Sequence, residues 1–158
     1  MREIKFRGKR RDNNQITYGD LCIYDDMVFI GIAKTITEIR KDVFVPSVIW
    51  YEVEPENVGQ FTGILDKNKK EVYEGDIIRF KYVVGDFAWE EMTKEEEKEA
   101  QKMNGQAFVG VISSNILTPV NLEIRVGDPK FSHVIWPLIY VQNSEILGNI
   151  FENPELLK

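Results

Sequence analysis

Glu71, Glu74 and Asp76 lie close together, and with Asp66 or Asp20 they supply the carboxylate oxygens that a divalent cation needs for phosphodiester cleavage. Such a site requires the oxygens to converge within a few ångströms. Gly75, standing between two of them, marks a turn, and Gly-Asp ahead of an apolar run is ordinary corner chemistry. No metal or other cofactor is therefore expected, and a metal-dependent phosphodiesterase is a distant alternative. Ser132 and His133 are neighbours in a β-like run, where successive side chains point to opposite faces, so they cannot act as a nucleophile and its base. Cys22, between Leu21 and Ile23, reads as a small hydrophobe on a strand. Gly105 and Gly110 lack the lysine and the spacing of a phosphate loop. No catalytic residue emerges, and the chain reads as non-enzymatic.

Two segments offer binding instead. Between Met1 and Arg11 six cations face Glu3 alone, and Lys5, Arg7 and Lys9 alternate along one strand face with Arg10 and Arg11 in the following turn. That arrangement can track a phosphate backbone, with Tyr18 or Tyr24 adding base stacking. The competing reading is a solvated sheet edge guarded by cations, favoured because the remaining chain repels polyanions. Between Gly85 and Gly105 seven acids face three lysines. Phe87 and Trp89 precede an acidic helix carrying Glu95, Glu96, Glu99 and Met103, so an apolar knuckle lies beside a charged surface, as at protein interaction sites. Its alternative is a satellite cluster that pins the helix to the body.

Most of the elements that must position these residues are strands. In Ile4-Lys5-Phe6-Arg7 the alternation puts Ile4 and Phe6 inward and the cations outward, and Asp12-Asn13-Asn14 turns the chain into a second strand over Ile16 to Tyr24. Further runs are Val28 to Ile36, Val43 to Val45, Val48 to Val53, Val58 to Phe61, Ile77 to Val84, Ala107 to Ser113, Asn121 to Val126 and Val134 to Val141. Pro46 and Pro119 interrupt the runs they sit beside, because proline cannot donate to a ladder, so they favour edges or turns. Phe6-x-Gly8, Asp12-x-Asn14 and Tyr18-Gly19-Asp20-Leu21 recur as Phe61-x-Gly63, Asp66-x-Asn68 and Tyr73-x-Gly75-Asp76-Ile77, which reads as one hairpin design used twice or as shared turn chemistry. Thr93-x-x-Glu96 has capping-box spacing and Gly105 is a stop, which predicts a helix from Thr93 to Asn104. Asn153-Pro154 predicts a closing helical turn that docks Leu156 and Leu157.

At 158 residues, 43% hydrophobic and 29% charged, the chain is expected to fold as one main domain that buries roughly 70% of its unfolded surface. One cysteine and one histidine exclude an internal disulfide and leave a zinc site without clustered ligands. The N-terminus has no apolar signal region and no stretch approaches a membrane span, so the cytoplasm is the expected compartment. A net charge of −6 argues against a wholly basic nucleic-acid binder.

Three ordered blocks carry a family resemblance. Residues 58–78, from Val58-Gly59-Gln60-Phe61-Thr62-Gly63 through Asp66-Lys67-Asn68 to Tyr73-Glu74-Gly75-Asp76-Ile77-Ile78, are similar to the central signature of YopX-like phage and prophage proteins. Arg2-Glu3-Ile4-Lys5-Phe6-Arg7 resembles the family's first strand, and Ile146-Leu147-Gly148-Asn149 through Asn153-Pro154-Glu155-Leu156-Leu157 resembles its ending. Gly8-Lys9 departs from a common Ala-Trp pair. Lys69 stands where the turn usually has glycine, at a cost of about 1 kcal/mol if that backbone is left-handed. The resemblance implies a mainly β protein of a bacterial host's phage or prophage, and it brings no catalytic residue. The expected fold is one β-barrel-like domain over 1–158, with two similar hairpin units in an SH3-like or pseudo-barrel arrangement, a helical insertion over 89–105 and a closing helical turn. The expected function is an accessory or regulatory module that binds a partner protein, with nucleic acid as the alternative partner, no membrane, and self-association left open.

Overall fold

The computed structural model describes residues 3–83, 94–113, 121–126 and 135–157. The chain divides into two compact units, Met1–Gly63 and Ile64–Lys158. Both are built on antiparallel sheet.

The first unit holds β1 (Phe6–Lys9), β2 (Ile16–Tyr24), β3 (Met27–Arg40), β4 (Val43–Val53) and most of β5 (Gly59–Leu65). Their spatial order is β4-β3-β2-β1-β5. Its core is small, with Ile30 and Val53 fully buried and Phe61 close to it. Two glycines allow close approach there. A Cβ on Gly19 would lie 2.0 Å from the Gly31 carbonyl oxygen, and one on Gly31 would lie 2.5 Å from the Trp50 ring. Pro46 does not interrupt β4, contrary to the expected break, but it does sit on an edge strand as expected. It lies within this strand at the sheet edge, where its missing N–H costs no ladder bond. β3 likewise runs four residues past the expected Ile36.

The second unit adds β6 (Glu71–Tyr73), β7 (Asp76–Lys81), α1 (Lys94–Met103), β8 (Ala107–Ser113), β9 (Asn121–Val126), β10 (Ile135–Pro137), α2 (Leu138–Gln142) and β11 (Glu145–Asn149). Its main sheet has the order β10-β9-β8-β7-β11. Apolar alternation in β7 and β8 delivers Ile78, Phe80 and Ile112 to a core completed by Ile64, Val72, Tyr82, Tyr140 and Val141. Aromatic edges knit it together: Phe80 meets Tyr140 edge-on with ring centroids 5.5 Å apart and stacks on Phe108 at 5.9 Å. Burial raises the Tyr82 phenol above its usual range.

β8 and β9 coincide with the sequence expectation, and α1 covers the expected helix, with Gly105 left-handed at φ 79° just beyond it. The Thr93 cap lies outside the described residues. The run Val134 to Val141 is corrected: Pro137 ends a short strand, and Leu138–Gln142 form a helix that buries both Tyr140 and Val141. The closing turn over Pro154–Leu157 is present, although Leu156 remains 39% exposed and is not docked as expected. Among the described residues neither sheet closes on itself, so the mainly β expectation holds without a closed barrel.

Candidate functional site

The carboxylates of the signature block are structural. Asp66, 2% exposed, accepts hydrogen bonds at Oδ1 from the Asn68 and Lys70 amides (2.7 and 2.9 Å) and at Oδ2 from the Ile146 amide (3.2 Å). It shapes its own turn and ties that turn to β11. Asp76, also 2% exposed, accepts from the Tyr73 amide at 2.8 Å. Glu71 accepts from the Tyr73 hydroxyl at 2.6 Å. Among the described residues no three His, Cys, Asp or Glu side chains are grouped to hold a metal ion.

Gly75, just before Asp76, meets the C-terminal segment. Its φ is 80°, its N–H donates to the Ile112 carbonyl (2.8 Å), and its carbonyl accepts from the Ile150 amide (2.9 Å). A Cβ there would press on Phe151 at 3.0 Å. Asn149 completes this corner by accepting the Phe151 and Glu152 amides. Residues of the central and C-terminal blocks thus meet through backbone hydrogen bonds, as an architectural motif. The first copy of the hairpin pattern is built otherwise: Asp12 is exposed and bonded to Arg10, and Gly19-Asp20 lie inside β2. The two copies share turn residues and not a common design.

The basic segment is in part buried and in part paired with acids. β1 is an inner strand between β2 and β5, and Arg7, paired with Tyr18 and Gly59, is only 5% exposed. Ile4 precedes the sheet and is 68% exposed, so the expected inside and outside are exchanged at these two positions. Arg10 stacks 3.6 Å above the Tyr51 ring and bonds Asp12, which raises the guanidinium's pKa and lowers that of the carboxyl. Arg11 pairs with Glu52 and Glu54. Lys5 and Lys9 are half-buried, Lys5 lying 6.0 Å from the exposed Tyr18 ring.

In the expected partner-binding segment, Phe87 and Trp89 lie outside the described residues, as do Ser132 and His133. Glu95, Glu96 and Glu99 are on α1. Met103, expected on the binding surface, is half-buried and packs against the second unit's core, which makes it an anchor for the helix. Cys22 is exposed, not buried in the strand.

The most conspicuous surface lies elsewhere. β3 and β4 extend as a two-stranded ribbon whose outer residues, 33–47, are all exposed. In β4 the i, i+2 residues Phe44, Pro46, Val48 and Trp50 share one face, opposite Glu38, Ile36, Ala33 and Gly31. A bulge between Ala33 and Thr35 shifts β3 by one residue and keeps Ile36 on that apolar side. Ile36 is 71% exposed, Phe44 60% and Trp50 46%. The signal was in the sequence as a nearly continuous apolar run from Phe44 to Trp50, broken by Ser47 alone. The expected break at Pro46 hid it.

The second unit carries a separate ion-pair centre, in which Glu145 Oε2 accepts from Lys67 Nζ at 2.8 Å and from Arg79 Nη2 at 2.9 Å. Those two hydrogen bonds hold its carboxyl at about 2.

Two antiparallel sheets with a few short helices define a mainly β class of protein. The chain belongs to the YopX protein family, whose model matches residues 5–158. Among solved structures it is similar to protein EF1440 from Enterococcus faecalis, with 19% identity and a TM-score of 0.56 over the whole of both chains. It is also similar to protein yopX from Bacillus subtilis, with 16% identity and a TM-score of 0.46 over all of this chain and 98% of that one. No curated protein matches the chain. Among the described residues no helix is long and apolar enough to cross a membrane.

Proposed function

We propose that this YopX-family chain is a non-enzymatic phage or prophage accessory protein that acts in the bacterial cytoplasm by binding a partner protein, with the β3–β4 ribbon as its docking element. The observation that carries the reading is the apolar ribbon face formed by Ile36, Phe44, Val48 and Trp50 in the first unit. Large apolar side chains held in water are unfavourable by roughly 25 cal/mol per Å², and a contiguous face of them is the usual mark of a protein contact. Pro46 on the edge strand blunts strand addition, so a partner is expected on the face and not along the edge. The pairing of Arg10 and Arg11 with acids, and the burial of Arg7, favour protein over nucleic acid.

The test is affinity capture from host lysate by the full chain and by an Ile36→Ser/Phe44→Ser variant, each with and without nuclease. Both side chains are too exposed to contribute to the core, so the variant should melt like the parent. Partners that resist nuclease and disappear with the variant support the reading. Capture that is wholly nuclease-sensitive, or unchanged in the variant, defeats it.

A further inference from the structure

A cavity of about 530 Å³ opens in the second unit beside β7, with Lys67, Arg79 and Lys81 in its lining. Arg79 and Lys81 stand two apart on β7, both exposed, while Phe80 between them turns into the core, as strand alternation requires. Lys67 comes from the Asp66 turn, which is fixed by the three amide bonds to that buried carboxylate. The apolar part of the lining is Phe80, Val83, Ala107 and Tyr140. Tyr140 is locked in place: its hydroxyl donates to the Val83 carbonyl at 3.1 Å, and its ring packs on Phe80. Asn143 adds an amide that can donate or accept.

The charge count selects the ligand. Among the described residues that line the cavity, three cations stand against one acid, Glu145, an excess of two positive charges. Lys67 and Arg79 share one Glu145 oxygen, and Lys81 has no ion pair among the described residues. Two cations divided over one carboxylate are under-neutralised, and both present further N–H donors to an incoming anion. A monoanion would leave positive charge uncompensated, whereas a phosphate monoester carries about −1.5 to −2 at neutral pH and brings three acceptor oxygens. The volume falls within the usual range of small-molecule sites, roughly 300–1,000 Å³, and exceeds what a bare phosphate fills, so the apolar wall calls for an organic body on the ester.

We propose that this cavity binds a small phosphate monoester, its phosphate held by Lys67, Arg79 and Lys81 and its apolar body resting against Val83, Ala107 and Tyr140. The site belongs to the second unit and is independent of the ribbon reading.

The test is isothermal titration calorimetry of the full chain with phenyl phosphate, inorganic phosphate and benzoate. Phenyl phosphate should bind saturably and at least tenfold more tightly than either of the others, and should weaken with added salt. Lys81→Ala, an exposed change that leaves the Glu145 pairs intact, should weaken it about tenfold. Glu145→Gln removes the competing carboxylate and should tighten it, a direction that mere loss of structure would not produce. Absence of saturable binding up to millimolar phenyl phosphate overturns the proposal. So does equal affinity for benzoate, or affinity unchanged in Lys81→Ala.

Discussion

Replacing Asp66 tests the claim that the signature block is architecture. Its side chain receives three backbone amides, two within its own turn and one from Ile146 across to β11. A hydrogen bond to a charged acceptor contributes about 1.5–3 kcal/mol when its donor is left unsatisfied. The Asn68 and Lys70 amides belong to an exposed turn, where water partly replaces the lost acceptor, and about 1 kcal/mol each is appropriate. The Ile146 amide is in a half-buried strand and should cost about 2 kcal/mol. Asp66→Ala should therefore destabilise by about 4 kcal/mol. Asp66→Asn keeps an oxygen for the turn amides but turns its NH2 toward the Ile146 N–H, so about 2 kcal/mol is expected. In urea, with a slope near 2 kcal/mol per molar, the midpoints followed by far-ultraviolet circular dichroism should fall by about 2 M and 1 M respectively at unchanged slope. An alanine variant within about 0.5 kcal/mol of the parent would refute the reasoning. Asparagine as damaging as alanine would show that charge, and not directed bonding, matters at this position.

Lys69 has φ 65°, so Lys69→Gly should stabilise by about 0.5–1 kcal/mol, the relief of left-handed strain less the added unfolded-chain entropy; a lowered melting temperature would contradict it. Glu145 has its folded pKa depressed from 4.5 to about 2, so its contribution is present above pH 4.5 and is lost as pH falls towards 2. The acid limb of the stability profile should accordingly be shallower in Glu145→Gln, and an identical limb would remove the ion-pair centre from the stability argument. Gly19→Ala should cost at least about 2 kcal/mol, because its Cβ would meet the Gly31 carbonyl at 2.0 Å; near-parental unfolding would contradict that close approach. Excising residues 36–46 and joining the Thr35–Ser47 pair by Asn-Gly should leave the urea midpoint within about 0.5 M, since the removed residues are all exposed; a larger drop would make the ribbon structural.

Local patterning settled much of this protein in advance. Alternation placed β8 and β9 at their observed bounds, and the capping-box spacing with Gly105 marked α1. These features depend on neighbours within a few residues, which a sequence displays directly. Tertiary structure decided what depends on distant partners. Arg7 alternates like a surface cation, yet in the folded sheet, on β1 between β2 and β5, it is only 5% exposed. Asp66 reads as a turn residue or a metal ligand, and only the arrival of β11, eighty positions later, makes it an amide acceptor. Pro46 looks like a strand break, but an edge position leaves its missing N–H without consequence, and the ribbon runs through it. Lys67, Arg79 and Glu145 had no visible relation in the chain. Burial, edge position and charge convergence are set by which strands become neighbours, and strand order is not encoded in the period-two pattern that makes each strand.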